Sequence, residues 1–294
     1  MILSEGRDAV ISNIKSAAES GEYHAKVELG DPTLSNTERD AVLEKYADGV
    51  NGLWYGMNNW IARKITDTYS AYTNRTTQIE GLEKVAGLEG GAIVTSNHFS
   101  PEDNTVVRKF IKKAGKKRLY IVSQDTNFAM NGFIGYLMNY TDTIPLSLQP
   151  HYMLTFFEPN LKSLLDKGNY VLIYPEQEMW FRYRKPRPAQ RGAYYYAAKF
   201  NVPIVPCFVE IRDRRKLETP EFHRLNYVLH VLDPIYPDPT KTIRQNSYDM
   251  KEQDYLAKKA AYEKAYGKPL KEGFEADDIA GWVGAEEPEQ EAVG

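Results

Sequence analysis

Two side chains five positions apart could carry out proton transfer at the end of a short apolar run. The segment that begins at Gly91 ends at Asn97 and His98, and Asp103 follows across a short turn. An imidazole titrates near neutrality and can accept a proton from a hydroxyl group, while a carboxylate on its other ring nitrogen favours the tautomer that is basic toward substrate. We therefore predict that His98 is a general base oriented by Asp103. The spacing alone leaves open a turn histidine followed by a helix-capping aspartate.

The elements that must position these residues alternate between strand-like and helix-like segments from Gly81 onward. The predicted strands are Ala92–Thr95, Leu119–Val122, Thr143–Leu148, Tyr170–Tyr174, Ile204–Val209 and Tyr227–Leu232. The predicted helices between them are Asn104–Ala114, Phe133–Asn139, Met153–Leu165 and Gly192–Phe200. Such alternation is typical of an α/β fold, with a central mixed sheet flanked by helices. Ligands of open α/β sheets sit at the strand tips, which is where His98 falls.

The segment before the sheet is predicted to be helical. Ser35 and Glu38 have the spacing of a capping box, and the apolar residues after them recur three and four apart. This pattern favours one long helix or two consecutive helices. We divide the chain into an N-terminal helical subdomain at residues 1–80, an α/β domain at 81–240, a C-terminal helical segment at 241–274 and a flexible acidic tail at 275–294.

Composition restricts the class of protein. The 294 residues are 42% hydrophobic and 26% charged, as in ordinary globular proteins. Cys207, the one cysteine, lies in an apolar run and reads as a buried thiol, which excludes an internal disulfide. The five histidines do not lie close to one another beside carboxylates, as metal ligands would, so no metal is expected. We expect a cytoplasmic protein in peripheral contact with the inner membrane surface, because neither a signal peptide nor a run of ~20 apolar residues is evident.

The charge is distributed unevenly. The whole chain carries −3, but residues 275–294 contain seven acidic and no basic side chains, so the rest carries +4. Seven basic residues fall within the eleven positions from Arg108 to Arg118, and their expected partners are an anionic membrane, an acidic carrier protein or the phosphates of a substrate. A solvated helix end is the alternative. We predict no nucleic-acid binding, because the excess is small and no recognisable motif accompanies it.

Four blocks in a fixed order resemble the glycerolipid acyltransferases, the family of lysophosphatidic-acid and glycerol-3-phosphate acyltransferases. Asn97 to Asp103 is similar to the family's histidine-x4-aspartate motif, and the stretch from Phe128 to Pro145 resembles its second block. Tyr174-Pro175-Glu176 looks like the third block, and Val202 to Pro206 resembles the fourth. Four ordered blocks are far more specific than one motif.

The resemblance implies direct transfer of an acyl group from acyl-CoA or acyl carrier protein, as co-substrate, to a hydroxyl of a lysophospholipid-like or other lipid acceptor. No cofactor and no acyl-enzyme are implied. His98 would deprotonate the hydroxyl and Asp103 would orient it. Asn97 and Glu176 would contribute to substrate binding, with Glu176 in the acceptor pocket. The fourth block would shape a substrate channel, unless it is only a buried strand.

The third block departs from the family pattern, which continues with Gly, Thr and Arg. Here Gln177, Glu178 and Met179 occupy those positions, so the arginine that the family uses for the acceptor phosphate is missing. Guanidinium groups bind phosphate oxygens in pairs, and several arginines follow closely. The residues predicted to replace the missing contact are Arg182, Arg184 and Arg187.

Two other classes of function remain open. An acyl hydrolase or thioesterase could use His98 and Asp103 with water, although no Gly-x-Ser-x-Gly motif marks the common serine form. A non-catalytic lipid-binding relative is the second, and the presence of both His98 and Asp103 argues against it.

Overall fold

In the computed structural model, which describes residues 6–30 and 32–285, the strands form one mixed sheet covered by helices on both faces. The predicted α/β class is confirmed. The strands are β1 (Gln78–Glu80), β2 (Ala92–Thr95), β3 (Leu119–Gln124), β4 (Thr143–Leu146), β5 (Tyr170–Leu172), β6 (Ile204–Leu217) and β7 (His223–Val231). They are ordered β1-β7-β6-β2-β5-β3-β4, and β6 and β7 pair antiparallel whereas all other neighbours are parallel.

The helices follow the predicted pattern closely. They are α1 (Arg7–Glu19), α2 (Asn36–Gly49), α3 (Leu53–Thr73), α4 (Asn104–Lys113), α5 (Gly132–Tyr140), α6 (Pro150–Tyr152), α7 (Glu158–Asp166), α8 (Gly192–Phe200) and α9 (Ile243–Tyr266), with a π-helical turn at Met153–Phe157. Ser35 and Glu38 form the predicted capping box at the start of α2. The apolar segment after it forms two helices, because the chain breaks between Gly49 and Leu53. No helix of the described ranges is both long and apolar enough to cross a bilayer.

The central strands are buried on both faces, so their residues alternate between two apolar cores. Val94 of β2 packs on the side of α4, and Ile93 packs on the side of α7 and α8. Cys207 is a free, fully buried thiol in the first of these cores, as predicted. Burial raises the pKa of this thiol to about 12, so it is no nucleophile at neutral pH.

The first part of the predicted flexible tail is packed against the protein, which corrects the boundary at residue 275. Asp278 forms a buried ion pair with Lys185 at 2.7 Å. Ile279 is buried and bridges to Tyr183, and the N–H of Ala280 donates to the carbonyl of Arg182. Charge counting missed this because the acidic residues are interleaved with the apolar residues that dock. Residues 286–294 of the predicted tail lie outside the described part of the chain.

Candidate active site

The ends of β2 and β5 bring the first and third sequence blocks together. These strands are adjacent and parallel, with Val94 opposite Leu172, so their carboxyl ends lie at the same edge of the sheet. His98 follows the end of β2 by three residues, and Tyr174 follows the end of β5 by two. The fold therefore positions both side chains over one sheet edge, where ligands of such sheets bind.

His98 and Asp103 are in direct contact. The Nδ1 atom of His98 lies 2.8 Å from Oδ2 of Asp103, and the same oxygen accepts the backbone N–H groups of Phe99 and Ser100 at 2.9 and 3.2 Å. Asp103 stands at the N-cap of α4 but makes no side-chain cap, because its carboxylate turns back toward the imidazole. The helix-cap alternative therefore does not describe this aspartate.

This contact sets the chemistry of the ring. A carboxylate only accepts hydrogen bonds, so the network assigns the proton to Nδ1 and leaves the lone pair on Nε2. The imidazole is 20% exposed, whereas the Asp103 side chain is 2% exposed. His98 can therefore take a proton from a substrate hydroxyl while Asp103 fixes the ring and stabilises the imidazolium.

Tyr174 completes the group, although sequence reasoning gave it no role. Its ring stacks on the imidazole with centroids 4.0 Å apart and planes 16° apart, and its hydroxyl donates to Oδ1 of Asp103 at 2.5 Å. Burial and the Asp103 carboxylate raise the pKa of Tyr174 well above its ordinary value, so the phenol stays a donor. The available signal was its place directly before Pro175-Glu176, but the stacking depends on the pairing of β2 with β5.

Asn97 has a different task from the predicted substrate binding. The side chain is buried, its Nδ2 donates to the carbonyl of Val209, and its Oδ1 accepts the N–H of the same residue. Both ends of the amide are thus bonded to β6. Asn97 fixes the turn that carries His98, and its predicted contact with substrate stays a prediction.

Glu176 supports the backbone of the site, and its predicted place in an acceptor pocket stays a prediction. Its carboxylate accepts the backbone N–H of His98 at 3.2 Å and that of Arg187 at 3.0 Å. It pairs with the Arg187 guanidinium at 3.0 Å, and the two side chains are 3% and 1% exposed. The loop is further joined to the first block, because the N–H groups of Trp180 and Arg182 donate to the carbonyls of His98 and Phe99.

The three arginines predicted to hold an acceptor phosphate are engaged elsewhere. Arg187 is buried against Glu176 and over the ring of Trp180. Arg182 is buried and pairs with Glu218 at 2.7 Å, and Arg184 pairs with Asp213 at 2.5 Å. Each guanidinium thus already has a carboxylate partner, and the predicted phosphate contacts stay a prediction.

The fourth block forms the buried beginning of β6. Ile204 and Pro206 lie opposite Ile93 and Thr95 of β2, and the side chains from Pro203 to Cys207 are buried. Of the two interpretations offered by the sequence, the structure shows the plain central strand. It contributes to the site by holding β2.

Within the described residues, one trio of carboxylates lies close enough to share a cation, namely Glu275, Asp277 and Asp278. Lys268 bonds to Glu275 and Asp277, and Lys185 pairs with Asp278, so these negative charges are already compensated. The trio gives no reason to assign a metal.

Comparison with known proteins agrees with this description. Residues 76–210 match the family model described as Acyltransferase. The fold is similar to the crystal structure of the 1-acyl-sn-glycerophosphate (LPA) acyltransferase PlsC from Thermotoga maritima, at 15% sequence identity and a TM-score of 0.50, over 80% of this chain and 98% of that one. A search of curated protein sequences finds no match. The match over residues 76–210 confirms the predicted resemblance to an acyltransferase family, and the similarity in structure confirms the fold.

Proposed function

We propose that this chain, whose residues 76–210 match the family model described as Acyltransferase, moves a fatty acyl group from a thioester to a hydroxyl of a lipid acceptor. The observation that carries the proposal is the 2.8 Å contact between Nδ1 of His98 and the buried carboxylate of Asp103, held in place by Tyr174. The donor would be acyl-CoA or acyl carrier protein, and the acceptor a lysophospholipid-like molecule.

The proposed reaction proceeds without an acyl-enzyme. The acceptor oxygen attacks the thioester carbonyl carbon while its proton passes to Nε2 of His98. The tetrahedral intermediate then collapses, the carbon–sulfur bond breaks, and Nε2 returns the proton to the leaving thiolate. The products are an ester and a free thiol. Asp103 stabilises the imidazolium throughout these steps.

Substitution of the base tests the mechanism. We expect His98→Ala to lower turnover by at least ~100-fold with folding intact, because removal of a general base costs that much. Asp103→Asn should lose less or a comparable amount. His151→Ala, which changes an exposed histidine, is the matched control. Near-native transfer by a folded His98→Ala protein would contradict the proposal.

Product analysis separates transfer from hydrolysis. Mass spectrometry of reactions with a panel of lysolipids, using acyl-CoA and acyl carrier protein as donors, should detect the acylated acceptor. Free fatty acid formed at the same rate with and without acceptor would indicate a hydrolase. Lipid binding without any product would indicate a non-catalytic relative.

We also propose that the protein contacts an anionic membrane through α3 and the neighbouring basic cluster, which is the stretch from Arg108 to Arg118. Apolar side chains of α3 face solvent at helical spacing, and Leu53, Trp54 and Trp60 are 97%, 69% and 61% exposed. A large exposed apolar surface of this kind favours an interface with protein or lipid. The basic cluster adjoins the same helix, because Lys112 pairs with Asp67 of α3 at 3.0 Å.

Liposome sedimentation tests the two contributions separately. Lys113 and Lys117 are exposed and have no ion pair within residues 6–30 and 32–285, so their replacement by Gln should weaken binding at low salt. Trp54→Ser with Trp60→Ser should weaken binding at all salt concentrations. Leu256→Ser removes a half-exposed apolar side chain from α9 and serves as control. Unchanged liposome binding by both the lysine and the tryptophan double variants would contradict a membrane contact through this surface.

A further inference from the structure

A groove with both polar and apolar walls lies beside Asp103 of the catalytic pair. Its walls are the end of α3, the turn that carries Ser100 and Asp103, and the hairpin of β6 and β7, and its volume is about 310 Å³. The Asp103 carboxylate thus contacts His98 and also belongs to the wall of this groove. A ligand in the groove would lie beside the reacting groups.

Three arginines line the groove, and they come from separate elements. Arg75 follows α3, whereas Arg214 lies on β6 and Arg224 on β7. Arg214 donates to the hydroxyl of Thr76 at 2.8 Å and to Oδ1 of Asn226 at 3.0 Å, which holds its guanidinium in place. Arg75 lies over the ring of Tyr72, and Arg224 is exposed.

These arginines differ from those of the loop after β5 in their charge balance. Across the part of the chain that the structure describes, none of Arg75, Arg214 and Arg224 forms an ion pair with a carboxylate. Arg182, Arg184 and Arg187 of the loop all do, as described above. Among the described residues, the groove therefore holds three arginines without an ion pair, whereas these three loop arginines are all paired.

The carboxylates of the groove offset only part of this charge, because Glu102 and Asp103 have no lysine or arginine partner within residues 6–30 and 32–285 but face three arginines. Glu218 is paired with Arg182, and the oxygens of Asp103 already accept hydrogen bonds from His98, Tyr174 and the turn. Glu102 accepts the hydroxyl of Tyr69 at 2.8 Å. Three guanidinium groups thus remain around one cavity, and guanidinium forks suit the oxygens of a phosphate group.

We propose that this groove binds the phosphate group of a substrate, in place of the arginine that the family carries where this chain has Met179. The proposal rests on the proposed acyl transfer. Two sources share this chemistry, the phosphate of a phosphorylated acceptor and the phosphates of CoA, and they are separated by choice of probe.

Direct binding tests the groove without any need for turnover. Calorimetric titration of the His98→Ala protein would use octanoyl lysophosphatidate against monooctanoylglycerol, and CoA against pantetheine. The test variant combines Arg75→Gln with Arg224→Gln, since neither side chain bonds to a described side chain outside its own turn. The control is Arg215→Gln, which removes an exposed charge from β6 without lining the groove.

Loss of charge-assisted contacts should weaken binding of a phosphorylated probe by about tenfold or more, with the unphosphorylated partner unchanged. Weaker binding of lysophosphatidate alone assigns the groove to the acceptor, and weaker binding of CoA alone assigns it to the donor. Equal binding of both phosphorylated probes by the double variant and by Arg215→Gln overturns the proposal. If the double variant loses phosphate binding but the wild type acylates none of the lysolipids, the assignment of the groove is supported and the proposed acyl transfer is contradicted.

Discussion

Glu176→Gln would remove the negative charge from an almost completely buried ion pair. The Glu176 and Arg187 side chains are 3% and 1% exposed, and the carboxylate also accepts two backbone N–H groups. The amide keeps the shape but leaves the charge of Arg187 without its partner, and breaking a buried pair in this way costs about 3–5 kcal/mol. At about 2–4 °C per kcal/mol, the expected fall in Tm is roughly 6–20 °C.

The same substitution separates a support from a substrate contact. If Glu176 held the acceptor, Gln would raise the acceptor KM and leave Tm unchanged. The structure instead predicts a lower Tm and a fall in kcat of about ten- to a hundredfold at saturating acceptor, because the carboxylate positions the backbone of His98. Thermal unfolding followed by circular dichroism, together with initial rates over a range of acceptor concentrations, measures both effects.

Two further variants make the result decisive. Glu178→Gln changes a carboxylate two positions away whose side-chain partner is an amide at the surface, Gln124, and it should alter Tm very little. Arg187→Met combined with Glu176→Gln removes both charges and should recover most of the stability that Glu176→Gln loses. A Tm for Glu176→Gln equal to that of Glu178→Gln would refute the buried-pair reasoning.

Three more substitutions test the surroundings of the site. Tyr174→Phe keeps the stacked ring but removes the hydrogen-bond donor to Asp103. The free energy of unfolding, measured with denaturant, should fall by about 1.5–3 kcal/mol, and turnover should fall about tenfold. Unchanged values would contradict the hydrogen bond. Gln177 has φ of 66°, a left-handed conformation that glycine adopts freely. Gln177→Gly should therefore stabilise the protein by up to ~1 kcal/mol, and Gln177→Val should destabilise it. The opposite order of stability would contradict this conformation. A Cβ on Gly135 would lie 1.8 Å from the carbonyl oxygen of Met130. Gly135→Ala should therefore lower the stability of the fold by about 1–3 kcal/mol or more. An unchanged Tm would show that α5 packs differently.

Local patterns predicted the elements that depend on local physics. The bounds of β2 are those predicted, Ala92–Thr95, because a central strand buried on both faces reads as a continuous apolar run. Ser35 and Glu38 marked the start of α2 because a capping box is formed within four residues. The sequence left one or two helices open after it, since glycines lower helix propensity without fixing where a chain breaks.

Non-local pairing explains what the sequence could not predict. Arg182 and Arg184 stand near the predicted strand tip, which suggested phosphate contacts, but their partners Glu218 and Asp213 lie on the hairpin of β6 and β7. That hairpin was itself predicted too short, because the charged residues from Arg212 to Lys216 do not resemble a buried strand. The contacts of Tyr174 depend in the same way on which strands are neighbours.

The altered third block and the groove can be understood as one change. In this chain the loop after β5 is a support, because Glu176 and Arg187 neutralise each other beneath His98. Arg182 and Arg184 of the same loop are paired with the hairpin, so these arginines have little charge left with which to choose an acceptor. We therefore expect acceptor selectivity to reside across the active site, on the end of α3 and the hairpin, where Arg75 and Arg224 carry uncompensated charge. Substitutions in the loop should then change stability and kcat together, whereas substitutions in the groove should change KM and leave stability intact.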